Sequence, residues 1–158
     1  MATLAYLGDA TSASHPPNQF AAKAKEVCLY RRLKVADIIA ADATMAANGY
    51  IAANDIIQAI PVQAGFFATR AILRIITAGT TSVTAEVGLA GGAELIGSTP
   101  VAMDAAANTA YGTIEADSYD LGHYFSAADT IDFQIGGANC AVGDFELFVF
   151  GKQLVLGS

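Results

Sequence analysis

The chain has 158 residues, of which 54% are hydrophobic and only 15% charged, and its formal net charge is −7 at pH 7. Soluble proteins are on average about one quarter charged. The length fits one domain with a substantial core. Because contacts to phosphates need clustered Lys and Arg side chains, an acidic chain with so few of them is not expected to bind nucleic acid.

Two long apolar stretches, residues 35–53 and 61–78, raise the question of a membrane span. Asp37 and Asp42 interrupt the first stretch, and Arg70 interrupts the second. A spanning helix needs about 20 consecutive apolar residues. We therefore expect no transmembrane helix and no membrane partner. The N-terminus also lacks a basic segment followed by an apolar one, so we expect cytoplasmic synthesis without a signal peptide.

Residues 1–25 differ from the rest of the chain because they show no sustained hydrophobic period. Pro16 and Pro17 favour an extended backbone there. We predict an extended N-terminal arm over residues 1–25, followed by one domain over residues 26–158. A polar arm of this kind has no core of its own, and we expect it to lie against a neighbouring subunit or its own domain.

Strand patterns begin directly after the arm. Apolar side chains recur at alternate positions over residues 27–35, interrupted by one arginine. Residues 55–62 form a short β-branched run ending at Pro61, which suits either a strand end or an edge strand. The segment between them, residues 36–54, is rich in Ala and Ile. It predicts either a strand–turn–strand or a single short helix, because Asn48 followed by Gly49 favours both a helix end and a hairpin turn.

Residues 67–76 predict a strand with two different faces. One face holds Phe67, Thr69, Ala71, Leu73 and Ile75, and the other holds Arg70, Ile72, Arg74 and Ile76. Residues 83–89 alternate in the same way, and residues 98–128 predict long loops with one or two short strands.

The last third of the chain again shows period-two alternation, in residues 131–135 and 145–150, with Gly136 and Gly137 at the turn between them. In total the sequence predicts seven or eight strands separated by turn residues. This arrangement indicates an all-β fold, an antiparallel β-sandwich of jelly-roll-like type in a single domain.

Few side chains could carry out catalysis or bind a metal. His15 and His123 are the only histidines, and they lack the companion ligands that a metal site requires. Cys28 and Cys140 are predicted to be two reduced, buried thiols. We expect no cofactor, no metal and no enzymatic activity.

Acidic side chains do gather in one part of the chain. They are Asp117, Asp120, Asp129 and Asp132. Such carboxylates could bind calcium or act in glycoside hydrolysis, but the order of ligands found in an EF-hand is missing. A β-sandwich hydrolase using these residues is therefore the weakest alternative.

The second face of residues 67–76 is neither plainly core nor plainly solvent-exposed, because Arg70 and Arg74 share it with Ile72. The two arginines either lay their apolar stems over the sheet surface or belong to an intersubunit face, where arginine is enriched. A second surface is aromatic. Its members, Tyr111, Tyr119, Tyr124 and Phe125, fit either a sugar-stacking surface or an interface.

Several segments together resemble small structural proteins of tailed bacteriophages. They are residues 35–39, 52–62, 65–79, 82–89, 129–131 and 145–150. The resemblance implies a virion component of the capsid decoration or cement type. Proteins of that group are often trimers of β-sandwich subunits on the outer capsid, at local threefold positions, with a flat apolar base, an extended arm and no active site.

From the resemblance we expect a homotrimer that binds the outside of an assembled phage head and stabilises it by bridging subunits of the major capsid protein. The expected interface residues are Pro16, Pro17, Phe20, Arg70, Ile72 and Arg74. The protein would be made in the host cytoplasm and reside on the capsid surface. The alternative is a carbohydrate-binding or receptor-binding β-sandwich module of a phage fibre or tail, with the tyrosines stacking on sugar rings.

Overall fold

The computed structural model describes residues 24–89, 95–112 and 122–154. Within these ranges the chain forms nine strands and two short helices. The strands are β1 Ala24–Lys34, β2 Ile56–Val62, β3 Phe66–Thr77, β4 Thr84–Gly88, β5 Ile96–Ala102, β6 Ala110–Gly112, β7 His123–Tyr124, β8 Asp129–Gly136 and β9 Asp144–Leu154. The helices are α1 Val35–Ala41 and α2 Ala43–Asn48. Of the predicted arm, residues 1–23 lie outside the described residues, and the remaining two already belong to β1.

The strands form two sheets in which every pairing is antiparallel. One sheet has five strands in the order β1-β9-β3-β6, with β7 also pairing with β3. The other has four strands in the order β2-β8-β4-β5. The prediction of an all-β antiparallel sandwich is therefore confirmed. The strand order joins distant parts of the chain, since β9 lies between β1 and β3.

The core lies between the two sheets. Its largest side chains that are less than 2% exposed are Phe66, Phe133, Phe145, Ile51, Leu73, Ile75, Leu95, Ile96, Met103, Ile131, Ile135 and Leu147. Phe133 of β8 and Phe145 of β9 stack across the interior with ring centroids 6.1 Å apart. Each fully buried aliphatic or aromatic side chain of this kind contributes about 1.5–3 kcal/mol through the hydrophobic effect.

Strand β3 departs from strict alternation at Thr69. Its pairing register with β9 shifts between Ala68 and Arg70, as it does where an extra residue is inserted into one strand. The predicted grouping of five residues on one face is therefore correct from Ala71 onward, where that face is buried, but wrong for Phe67 and Thr69. Thr69 is exposed, and Ala68 is buried in place of Phe67.

Residues 36–54, for which strand and helix were both possible, contain two short helices rather than a strand pair. Asp42 ends α1 and begins α2, and its carboxylate accepts hydrogen bonds from the backbone N–H groups of Thr44 and Met45, each at 2.9 Å. Gly49 ends α2 in the left-handed region, with φ of 76°. No helix in the described ranges is long and apolar enough to cross a membrane.

Candidate functional site

Three of the predicted interface residues lie together on one surface. Arg70, Ile72 and Arg74 point to the outside of the five-stranded sheet, whereas Ala71 and Leu73 between them are buried in the core. The register places neighbouring side chains of β1 and β9 beside them. We call the resulting surface the outer sheet face, defined by Cys28, Tyr30, Arg32, Arg70, Ile72, Arg74, Glu146, Phe148 and Phe150.

An apolar row crosses the middle of the outer sheet face. Ile72 of β3 lies opposite Phe148 of β9, which lies opposite Tyr30 of β1. The rings of Tyr30 and Phe148 are tilted by 42° with centroids 5.1 Å apart, a favourable aromatic geometry. Tyr30 is nevertheless 51% exposed. The row therefore exposes hydrophobic area to solvent on the outer side of the sheet, whereas the inner side packs against the other sheet.

A charged row runs beside the apolar one. Arg74, Glu146 and Arg32 lie opposite one another on β3, β9 and β1. The Arg74 guanidinium donates from Nε and Nη2 to Oε2 of Glu146, at 2.9 and 2.5 Å. The Tyr30 hydroxyl donates to Oε1 of the same carboxylate at 3.0 Å. This hydrogen bond to Glu146 is the main reason that the pKa of Tyr30 is raised.

Arg32 does not share the Glu146 carboxylate but pairs with Asp144, two residues earlier on β9. Its Nε donates to Oδ1 at 2.9 Å and its Nη2 to Oδ2 at 2.5 Å, a bidentate pair. Hydrogen bonding to Arg32 holds the pKa of Asp144 below its ordinary value. The two arginine–carboxylate pairs fix the charged side chains of β1, β3 and β9 relative to one another.

Arg70 differs from the other two arginines of the outer sheet face. It lies opposite Phe150, which lies opposite Cys28 on β1. Arg70 is exposed, and within the described ranges it makes no hydrogen bond or ion pair. Its guanidinium is thus available to a partner, beside a half-buried phenylalanine ring.

The outer sheet face has a composition that is common in protein interfaces. Aromatic and arginine side chains are enriched in the cores of protein interfaces, and here they surround a fixed network of two ion pairs. Within the described ranges no group of three or more His, Cys, Asp or Glu side chains is placed to hold a metal ion.

The predicted aromatic surface is not assembled as one surface. Tyr111 of β6 lies opposite the buried Leu73 and packs against the core, whereas Tyr124 of β7 lies opposite Phe67 and is 40% exposed. Their partners on β3 are six residues apart, about 20 Å along a strand. Tyr119 lies outside the described residues. The described tyrosines therefore form no common platform for a sugar ring.

The remaining candidate residues are scattered. His123 is half-buried with its ring edge-on to that of Phe125, at 4.7 Å between centroids. Asp129 is exposed, and the buried Asp132 accepts a hydrogen bond from the Thr130 hydroxyl at 2.8 Å. His15, Asp117 and Asp120 lie outside the described residues, as do Pro16, Pro17 and Phe20.

The two cysteines are unpaired, as predicted, but they are not alike. Cys140 is buried, and loss of hydration raises the pKa of its thiol. Cys28 is exposed on the outer sheet face, so the prediction that both thiols are buried is wrong. The error arises because the alternation of β1 did not indicate which of its two faces the sandwich would cover.

Sequence reasoning missed most of the outer sheet face. The alternation placed Tyr30 and Arg32 on one face of β1, and Glu146 and Phe148 on one face of β9, but no local signal shows that these strands are neighbours. β1 and β9 are separated by more than 100 residues in sequence. The signal that could have identified the face is the matching mixed pattern of apolar and charged residues in all three strands.

No protein-family model matches the chain, and no curated protein matches its sequence. A chain of the capsid of Ralstonia phage GP4 superposes with a TM-score of 0.59, at 14% identity over 83% of this chain and 86% of that one. A chain of the cyanophage Pam1 capsid asymmetric unit gives 0.55, at 15% identity over 82% and 86%.

The chain shares its fold with chains of two phage capsids. In each comparison the likeness covers most of both aligned chains, so it concerns the whole sandwich rather than a single sheet. It agrees with the resemblance to phage virion proteins drawn from the sequence. At these identities the likeness concerns the fold alone.

Proposed function

We propose that this protein is a structural component of a bacteriophage virion, a capsid decoration or cement protein that binds the outside of the assembled head. The observation that supports the proposal most is the fold shared with chains of two phage capsids over more than four fifths of this chain. A sandwich that presents a fixed, partly apolar outer sheet face is suited to this task, because the task requires a surface rather than a catalytic centre.

The mechanism is thermodynamic linkage. A ligand that binds only the assembled shell stabilises that state by mass action, in proportion to the logarithm of its concentration relative to its Kd. A decoration protein that contacts two subunits of the major capsid protein at once would clamp them together. A homotrimer at a local threefold position would make three such contacts simultaneously, and the affinity of each would reinforce the others.

The outer sheet face is the surface that we assign to this contact. Ile72 supplies apolar area and Arg70 supplies a guanidinium without a partner in the described ranges. Arg74 is held by Glu146 and would shape the charge pattern at the edge of the contact. The arm residues Pro16, Pro17 and Phe20 are assigned to the capsid or to a neighbouring subunit.

The first experiment is to measure the mass of the purified protein by light scattering, together with its co-sedimentation with capsids that lack it. A trimer that co-sediments supports the proposal. A monomer that does not sediment with capsids contradicts it, and a screen for glycan binding would then follow.

A variant pair locates the contact. Ile72→Glu places a charge in the apolar row and should abolish co-sedimentation, whereas Val142→Glu makes the same kind of change at another exposed apolar position, 57% exposed, and should bind normally. Deletion of residues 1–20 should also abolish binding while leaving the circular dichroism spectrum and melting transition in place. Unchanged binding after the deletion would exclude the arm from the contact.

A further inference from the structure

The charges of this acidic protein are divided unequally between its two sheets. Every Lys and Arg of the described residues belongs to β1, β3 or β9, all of them strands of the five-stranded sheet. The strands of the four-stranded sheet hold no Lys or Arg, and their charged residues are Glu86, Asp129 and Asp132. Because opposite charges attract, an acidic partner is directed to the five-stranded sheet of a chain whose net charge is −7.

Two of these cations lie next to each other and have no partner. Arg70 of β3 lies opposite Phe150 of β9, and Lys152 follows Phe150 by two positions on the same face. Diagonal neighbours of this kind on antiparallel strands are about 7–8 Å apart. Both side chains are exposed, and neither makes an ion pair or hydrogen bond with any described residue. Glu26 of β1 lies opposite Lys152 but does not pair with it.

An open depression of about 400 Å³ lies at this end of the outer sheet face. Phe150 and Lys152 line it from β9, Cys28 lines it from β1, and Thr69 lines it from β3. The Thr69 hydroxyl donates to the carbonyl oxygen of Phe150 at 3.3 Å, beside the shift in register between β3 and β9. The depression thus combines a half-buried aromatic ring with an unpaired positive charge.

Two unpaired cations at this separation repel each other in the free protein. A carboxylate between them would accept hydrogen bonds from both and would remove the repulsion. We propose that Arg70 and Lys152 together bind one carboxylate of the capsid partner, and that an apolar side chain next to this carboxylate enters the depression at Phe150. The inference rests on the proposed capsid contact and specifies its chemistry, an acidic side chain beside an apolar one.

Co-sedimentation with capsids that lack the protein, measured as a Kd, tests this inference. Arg70→Gln and Lys152→Gln should each raise the Kd about tenfold or more. The double variant should raise it by less than the product of the two single effects, because both cations bind the same carboxylate. An increase in NaCl from about 0.05 M to about 0.5 M should weaken binding of the wild type and change that of the double variant little.

Arg31→Gln is the matched control. Arg31 is an exposed cation of β1 that makes no ion pair or hydrogen bond within the described ranges and is not part of the outer sheet face. Its substitution changes the net charge by the same amount as Arg70→Gln. The Kd of this variant should therefore stay within about twofold of the wild-type value.

Thermal melting distinguishes a binding role from a structural one. Because neither cation pairs with a described residue, Arg70→Gln and Lys152→Gln should melt at or above the wild-type temperature, as the repulsion between them is removed. A melting temperature lowered by several degrees in either variant would show a structural role and would overturn the inference.

Failure of this inference is distinguishable from failure of the capsid proposal. Wild-type binding that Ile72→Glu abolishes but that neither cation variant weakens would retain the capsid contact and overturn the carboxylate site. Fully multiplicative effects of the two cation variants would also overturn it, because they indicate two separate contacts. Binding of duplex DNA that the double variant loses would assign the cations to phosphate groups instead. A wild type that does not co-sediment at either salt concentration would contradict the capsid proposal, and this inference with it.

Discussion

Arg74 and Glu146 lie directly opposite each other on β3 and β9, and the arginine donates two hydrogen bonds to one carboxylate oxygen while Tyr30 of β1 donates to the other. The Glu146 side chain is only 14% exposed. A single carboxylate thus links three neighbouring strands on the outer sheet face. Its removal would leave two side chains, with three donor atoms between them, without their acceptor.

Glu146→Gln should therefore destabilise the protein. The amide keeps the size of the side chain but removes the negative charge, and hydrogen bonds to charged groups contribute about 1.5–3 kcal/mol. We expect a decrease of about 1–2 kcal/mol in the free energy of unfolding, measured by urea titration. Glu26→Gln, an exposed position on β1, is the control and should be neutral. Equal stability of both variants would mean that the three-strand link contributes nothing.

The Arg32–Asp144 pair should make stability depend on pH. Because the pKa of Asp144 is lowered in the folded protein, its contribution is complete above the ordinary value of 3.8 and is lost as the pH falls below it through the folded-state value. The difference in unfolding free energy between wild type and Asp144→Asn should thus be larger at about pH 6 than at about pH 2.5. A difference that is constant over this range would contradict the assignment.

Gly151→Ala should be strongly destabilising. A Cβ at this position of β9 would meet the carbonyl oxygen of Phe67 and the ring of Phe66, and overpacking of this kind costs about 1–3 kcal/mol or more. Gly49→Ala separates this effect from backbone strain, because φ is +76° there but no atom lies within 4 Å of the added Cβ. That variant should lose only about 1 kcal/mol, as measured by thermal melting. A Gly151→Ala protein as stable as Gly49→Ala would contradict the close approach.

The two thiols should react differently with a thiol reagent such as dithionitrobenzoate. Cys28 is exposed, whereas Cys140 is buried with a raised thiol pKa, which lowers the fraction of reactive thiolate. The native protein should therefore titrate one thiol quickly, and both should react after unfolding. The Cys28→Ser variant should lose the fast phase. Two fast equivalents in the native protein would show that Cys140 is accessible.

The sequence was sufficient to predict several of the strands, because period-two alternation is a local property. It identified β8, β9 and most of β3, and it placed Arg70, Ile72 and Arg74 on one face. It could not predict that Tyr30 and Glu146 would join them, because pairing between strands far apart in sequence depends on the packing of the whole sandwich. The bulge at Thr69 could not be predicted for the same reason, because it is a shift in the pairing of β3 with β9.

The alanine-rich segment shows a different limit. Its residues favour helix by propensity, yet Ile recurs often enough to suit a strand, so local preference alone did not decide. The structure resolves the choice through Asp42, which caps α2 and separates it from α1.

The position of β9 between β1 and β3 constrains how the molecule can fold. The five-stranded sheet cannot close until the chain as far as Leu154 is available, since β9 hydrogen-bonds to both neighbours along nearly its whole length. In a nascent chain on the ribosome, β1 and β3 would be synthesised before β9, the strand that lies between them. Folding that waits for such distant contacts is slow and exposes unpaired edges, so high-level expression should favour aggregation over folding unless chaperones protect the incomplete sheet.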